Sequence, residues 1–180
     1  MLTNGYEAYE AMNKTQPTYS VLLDCSFFIR LLNSDDTLHA SAVSYFKYFI
    51  EHNIICKIST IAIAEYCVKG SIHDLPFEHL QIVPFNITDA EEAGKLCRIV
   101  FDEKKKRGSA FQQRAVIPND TKMFAQANVL EDVKFFVSSD SEAKKIWSIL
   151  KDSEKQTCFD YLDIHRPYTE TFGILPLDSE

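Results

Sequence analysis

Short apolar runs alternate along this chain with stretches whose apolar residues recur every three or four positions, and polar turns separate the two. Residues 19–24 read as a short buried strand. Ser26 then opens a helix through Phe27, Phe28, Leu31 and Leu32, which stops in the turn-forming Asn33, Ser34, Asp35 and Asp36. A second helix is predicted from 37 to about 52, with Leu38, Ala42, Tyr45, Phe46, Phe49 and Ile50 as a stripe facing the core. Residues 54–58 read as a second strand, and Ser59 or Thr60 caps a helix carrying Ile61, Ala64, Glu65 and Val68 that stops before Gly70. A third strand at 80–85 precedes a helix that starts on a capping box of Thr88 and Glu91 and runs to about Asp102. Asn119 caps a helix over 120–130, residues 134–138 form a fourth strand, Ser139 with Glu142 begins a helix through Leu150, and 159–164 form a fifth strand. This alternation predicts the α/β class, a parallel sheet wrapped by helices on both faces in a three-layer α/β/α arrangement.

Composition narrows the picture. At 180 residues, 46% hydrophobic and 12% aromatic, the chain has the length and apolar content for one well-filled domain, over 19–164. Residues 1–18 read as a polar appendage, 103–118 as a basic loop and 165–180 as a tail. Cys25, Cys56, Cys67, Cys97 and Cys158 are odd in number and irregularly spaced, so they read as reduced core thiols rather than a disulfide framework, and the expected location is cytoplasmic. No stretch reaches the length of a membrane span. Trp147 and the many Phe residues are expected to fill the core.

A net charge of −7 argues against coating nucleic acid through bulk positive charge. It leaves room for a local basic patch, and Lys104, Lys105, Lys106, Arg107 and Arg114 supply one as candidate RNA contacts.

Candidate chemistry lies in four carboxylates placed where strands end or helices run: Asp24, Glu65, Asp120 and Asp140. Acids at the carboxyl ends of parallel strands point into the crevice where open α/β sheets bind ligands. Charges gathered there repel by roughly 3 kcal/mol per pair, at about 5 Å and an effective dielectric near 20. Metal or protons must offset that, and oxygen donors select Mg²⁺ or Mn²⁺ over zinc. A phosphate ester is the matching substrate.

The order Asp, Glu, Asn-Asp, Ser-x-Asp resembles the PIN domain, a family of metal-dependent ribonucleases that includes VapC-type toxins. The segments that carry it are Leu22-Leu23-Asp24-Cys25-Ser26-Phe27, Ile61-Ala62-Ile63-Ala64-Glu65, Pro118-Asn119-Asp120-Thr121 and Phe136-Val137-Ser138-Ser139-Asp140, so the resemblance covers about 19–164. It implies a five-stranded parallel sheet of PIN type whose order reverses beside the first strand, with Asp24 and Asp140 flanking that point. It implies that Asp24 and Asp140 ligate Mg²⁺ or Mn²⁺, with Glu65 and Asp120 as ligands or as acids orienting the attacking water. In-line attack would leave a 5′-phosphate and a 3′-hydroxyl. Ser26, Ser138 and Asn119 form a second tier that holds a carboxylate or phosphate. The implied partners are RNA, single-stranded or tRNA, an antitoxin protein and a second copy of the chain.

Other readings stay open. Asp120 and Asp140 could be ordinary helix caps, although Asn119 and Ser139 can already take that role. A haloacid dehalogenase type phosphatase also begins with a strand ending in Asp, but it needs a second Asp where this chain has Ser26. A catalytically silent module binding RNA or a protein is the third reading. Cys25 as a nucleophile lacks a paired histidine, and Pro76 between His73 and His79 argues against zinc.

Overall fold

The computed structural model describes residues 19–106, 118–153 and 157–173. Strand β1 (Ser20–Leu23) is the centre of the sheet, because Val21, Leu22 and Leu23 are apolar in succession and a strand covered on both faces needs no polar alternation. Strands β2 (Ile55–Ser59), β3 (Gln81–Val83), β4 (Val133–Ser138) and β5 (Asp160–Asp163) complete a five-stranded sheet in the order β3-β2-β1-β4-β5. Every pairing is parallel. Leu23 lies opposite Ile58 on one side and Val137 on the other, and Ser138 lies opposite Asp163.

The helices are α1 (Cys25–Leu32), α2 (His39–Glu51), α3 (Thr60–Tyr66), α4 (Ile87–Lys106), α5 (Asn119–Val129), α6 (Ser141–Asp152) and α7 (Thr169–Phe172). Right-handed crossovers in this strand order put α1, α2 and α3 on one face and α4, α5 and α6 on the other. Their packing agrees: α1 lies on α2 and α3, and α4 lies on α5 and α6. The expected three-layer α/β/α fold is therefore what the chain adopts. No helix among the described residues is long and apolar enough to cross a membrane.

Several local expectations are corrected. The helix expected to stop near Asp102 continues to Lys106, so the first residues of the expected basic loop are helical, stabilised by a Lys106–Glu103 pair at 2.5 Å. Its start is not the box of Thr88 and Glu91. Asn86 accepts from the backbone of Thr88 and Asp89, and Asp89 accepts in return from the Asn86 N–H. In α2 the buried stripe is Ala42, Tyr45 and Phe49, while Ile50 is exposed. Cys67 and Cys158 are exposed rather than core thiols, Val68 projects into solvent, and Trp147 is only partly buried.

The expected tail is structured at its start. Phe172 stacks on Tyr48 with ring centroids 4.6 Å apart and meets Phe135 edge-on, so the packed unit extends past 164. The proposed appendage at 1–18, together with Arg107 and Arg114, lies outside the described residues. At the opposite end of the sheet from the carboxylates, Lys57 is buried on β2 and reaches Asp132 through both carboxylate oxygens, at 2.5 and 2.6 Å. That pair ties β2 to the start of β4 across β1.

Candidate active site

The sheet order reverses between β1 and β4, and each strand leads into a carboxylate, Asp24 directly after β1 and Asp140 two residues after β4. Asp24 follows β1 and is the N-cap of α1, with extended φ and ψ of −77° and 160°. Its Oδ1 accepts from the Cys25 N–H at 2.7 Å. Its Oδ2 accepts from the Ser26 N–H at 3.3 Å, the Ser26 hydroxyl at 2.6 Å and the Ser138 hydroxyl at 2.7 Å. Each hydroxyl has one proton, and both protons go to Oδ2. The 3.0 Å approach of the two serine oxygens is then a contact between acceptors rather than a bond.

Those serine oxygens also accept. Ser26 Oγ takes the Ser139 N–H and Ser138 Oγ takes the Asp140 N–H, each at 3.0 Å. The turn that delivers Asp140 is thus strung on the two hydroxyls that hold Asp24. Asp140 itself caps α6, its Oδ1 accepting from the Glu142 N–H at 2.7 Å and the Ala143 N–H at 3.4 Å. The expected cap, Ser139, does not take that role. The Asp140 carbonyl accepts from the Tyr161 hydroxyl of β5 at 2.7 Å, and Arg30 Nε reaches Ser139 Oγ at 3.5 Å.

The other two acids come from helices. Ser59 caps α3 as expected, accepting from the Ile61 N–H. The buried face of α3 is Ala62 and Tyr66, so Glu65 stands at the margin of the core rather than within it. Asn119 is the first residue inside α5 and not its cap; Pro118 holds that position without a side-chain bond. Freed from capping, the Asn119 amide donates to Glu65 Oε1 at 2.6 Å, and its oxygen accepts from Lys122 at 3.0 Å. No hydrogen bond from the described residues reaches the Asp120 carboxylate.

All four acids line one cleft of about 920 Å³, with Ser26 and Asn119 beside them. Its other wall is Ile29, Leu32, Tyr66 and Val68. Tyr66 depends there on Gly70: a Cβ at Gly70 would lie 2.4 Å from the tyrosine ring.

Crowding shows in the acidities. Burial raises Asp120 to about 7, and the charges of Asp24, Asp140 and Glu65 add to it. Burial also raises Glu65, against the Asn119 hydrogen bond, and it raises Asp24 against its four donors. Among the described residues, no three His, Cys, Asp or Glu side chains form a ready-made metal-holding group.

Of the basic candidates, Lys104, Lys105 and Lys106 form the last turn of α4. Glu142, held below the usual carboxylate range first by Lys145, also feels the charge of Lys104, so this end of α4 lies toward the first turn of α6. Sequence reasoning missed Lys122, Tyr161 and Arg30. Only Lys122 left a signal, as a cation in the first turn of a helix, where the dipole favours acids.

No family profile and no curated protein matches the chain. Solved structures do match. VapBC2 from Rickettsia felis, solved bound to a DNA fragment from its promoter, superposes with a TM-score of 0.52 at 18% identity, over 79% of this chain and 98% of that one. DNA-bound VapBC from Salmonella typhimurium gives 0.48 at 15% identity, over 81% and 98%. VapC20 from Mycobacterium tuberculosis, a Sarcin-Ricin loop cleaving toxin, gives 0.47 at 13% identity, over 70% and 94%. The first of these supports a PIN-type, VapC-like fold, as the four sequence segments implied.

Proposed function

We propose that this PIN-fold chain is an Mg²⁺- or Mn²⁺-dependent endoribonuclease, the toxin of a toxin–antitoxin pair. The observation that carries the reading is the gathering of Asp24, Glu65, Asp120 and Asp140 around one cleft at the point where the strand order reverses. Asp120, raised to about 7 first by burial and further by the charges of Asp24, Asp140 and Glu65, marks a place where negative charge has been collected.

The donor set fits a hard divalent cation. Asp24 keeps Oδ1 with a single hydrogen bond, and the cap of α6 uses Oδ1 of Asp140 alone, so each retains oxygen lone pairs. Mg²⁺ usually keeps several waters and takes only one or two protein carboxylates together with substrate phosphate oxygens. A cleft without a ready-made cage of three carboxylates suits that habit. Asp24 and Asp140 would hold the ion, with Glu65 and Asp120 as further ligands or as acids that orient the attacking water. Once bound, the ion supplies a water of lowered pKa and neutralises charge on the phosphoryl group.

The chain's own groups have separable tasks. Ser26 and Ser138 orient Asp24 and, through their lone pairs, the turn bearing Asp140. Asn119 orients Glu65. Lys104, Lys105 and Lys106 lead the RNA backbone toward the rim of the cleft. The RNA is single-stranded or tRNA, and the likeness to VapBC structures supports an antitoxin protein as partner. A second copy of the chain is proposed as well, on the earlier resemblance.

A silent module that binds RNA or a protein is the second reading. Metal separates the two. The nuclease gains stability from Mn²⁺ as RT ln(1 + [M]/Kd), and the silent module gains little. The deciding assay is Mn²⁺-dependent cleavage of a panel of single-stranded and transfer RNAs by wild type and Asp24→Asn, purified identically. Cleavage that disappears in the variant and in chelator supports the nuclease. Equal cleavage by both proteins excludes this site.

A further inference from the structure

Helix α5 breaks two local rules at its start. Asn is among the best N-caps, yet Asn119 stands inside the helix behind Pro118, which has no side-chain bond to offer. A lysine in the first turn opposes the helix dipole, yet Lys122 is there. Both departures serve one hydrogen-bonded chain, from the Lys122 ammonium to the Asn119 oxygen at 3.0 Å and from the Asn119 nitrogen to Glu65 Oε1 at 2.6 Å. When local preference is broken twice in four residues for the same contact, the contact is the reason.

The two ends of an amide differ little in shape, so its partners decide which way it points. An ammonium has no acceptor and must meet the oxygen. An ionised carboxylate has no proton and must meet the nitrogen. With Lys122 on one side and Glu65 on the other, the orientation of Asn119 is dictated twice. Lys122 is absent from the cleft wall, whereas Asn119 and Glu65 are both on it.

We propose that Lys122 is a positioning residue of the active site: through the Asn119 amide it fixes the direction in which Glu65 presents its carboxylate to the cleft. This rests on the nuclease reading of the cleft. Remove the ammonium and the amide is held from the Glu65 side alone, so the Asn119 side chain is free to swing and the carboxylate loses the fixed donor that sets its direction.

Two readouts test this, one of them independent of catalysis. In the ¹⁵N-labelled, metal-free protein, the side-chain amide protons of Asn119 exchange slowly with water because the nitrogen is engaged. Lys122→Met speeds that exchange and Lys122→Arg preserves it. In RNA cleavage, Lys122→Met lowers kcat roughly 10-fold, the scale for losing an outer partner of a ligand, with KM little changed, and Lys122→Arg restores it. In an Asn119→Leu background, Lys122→Met costs nothing more, because the path through the amide is already cut. Losses that add in the double variant, or that appear in KM, would show Lys122 acting on the RNA directly and overturn the proposal. Amide exchange unchanged in Lys122→Met overturns it as well. If the wild type cleaves no RNA, the nuclease reading fails while amide exchange still decides the role of Lys122.

Discussion

The two halves of the cleft hold their acids by different means. On the strand side, Asp24 and Asp140 cap helices and are tied together through Ser26 and Ser138. On the helix side, Glu65 has the Asn119 amide, and Asp120 has burial and like charge around it. One half is organised by hydrogen bonds that exist without any ion. Burial raises Asp24 as well as Glu65 and Asp120, so both halves carry a load that an ion or a proton relieves, but on the helix side, among the described residues, only Glu65 has a hydrogen-bond donor to hold it without one. A carboxylate site can therefore be half preassembled and half waiting.

The contrast is broken most directly at Asp24. Asp24→Ala removes a helix cap and takes the acceptor from the buried Ser138 hydroxyl and the partly buried Ser26 hydroxyl, for an expected loss of about 3 kcal/mol in urea unfolding of the metal-free protein. A loss below about 1 kcal/mol would mean the strand side is not organised by that carboxylate. On the helix side the sign reverses. Native Asp120 keeps its proton up to about 7, whereas an unfolded Asp releases it near 3.8. Between those values the native state holds more protons, so stability of the metal-free protein falls as pH rises through this window. Asp120→Asn reduces that slope, to which the raised Asp24 and Glu65 also contribute, and stabilises the protein at neutral pH, by about 1.4 kcal/mol for each unit of the shift removed. Saturating Mn²⁺ should flatten it in the wild type, and a slope indifferent to both changes would remove the distinction between the halves.

Smaller effects sharpen the comparison. Ser138→Ala leaves the Asp140 N–H without its acceptor and Asp24 with one donor fewer, an expected loss of about 1 kcal/mol that should shrink in an Asp24→Ala background, where only the Asp140 N–H bond remains to be lost. Asp140→Asn should change stability least, within about 0.5 kcal/mol, because Asn caps a helix as well as Asp does. Its expected loss of RNA cleavage then separates the capping role from the chemical one within a single side chain.

Asp24, Asp120 and Asp140 were legible because each sits at a boundary between two hydrophobic periods, and Glu65 because it follows the apolar run 61–64 within a helix. Their division of labour was not. Whether Asp140 or Ser139 caps α6 depends on which residue adopts extended φ and ψ, a shift of one position that periodicity does not register. The same shift moved Asn119 from outside α5 to inside it and turned an expected cap into a ligand for Glu65. At α4, three lysines in a row looked like a solvated loop. They are good helix formers beside the negative end of a dipole, and the helix continues through them.

The hydrogen bond from Ser138 to Asp24 joins residues 114 positions apart, and β1 obtains its β4 neighbour only when that span closes. The entropy of closing so long a loop is recovered only after both strands are in place, so the cleft completes late in folding. During synthesis the first half of the chain can form α1, α2, β2 and α3 around β1, before Asn119 is present to orient Glu65. It then has an open sheet edge where β4 belongs, and no Asp140. Any RNA-cutting activity the finished cleft possesses is thus withheld from the nascent polypeptide, which cannot attack the messenger or the ribosome that is making it.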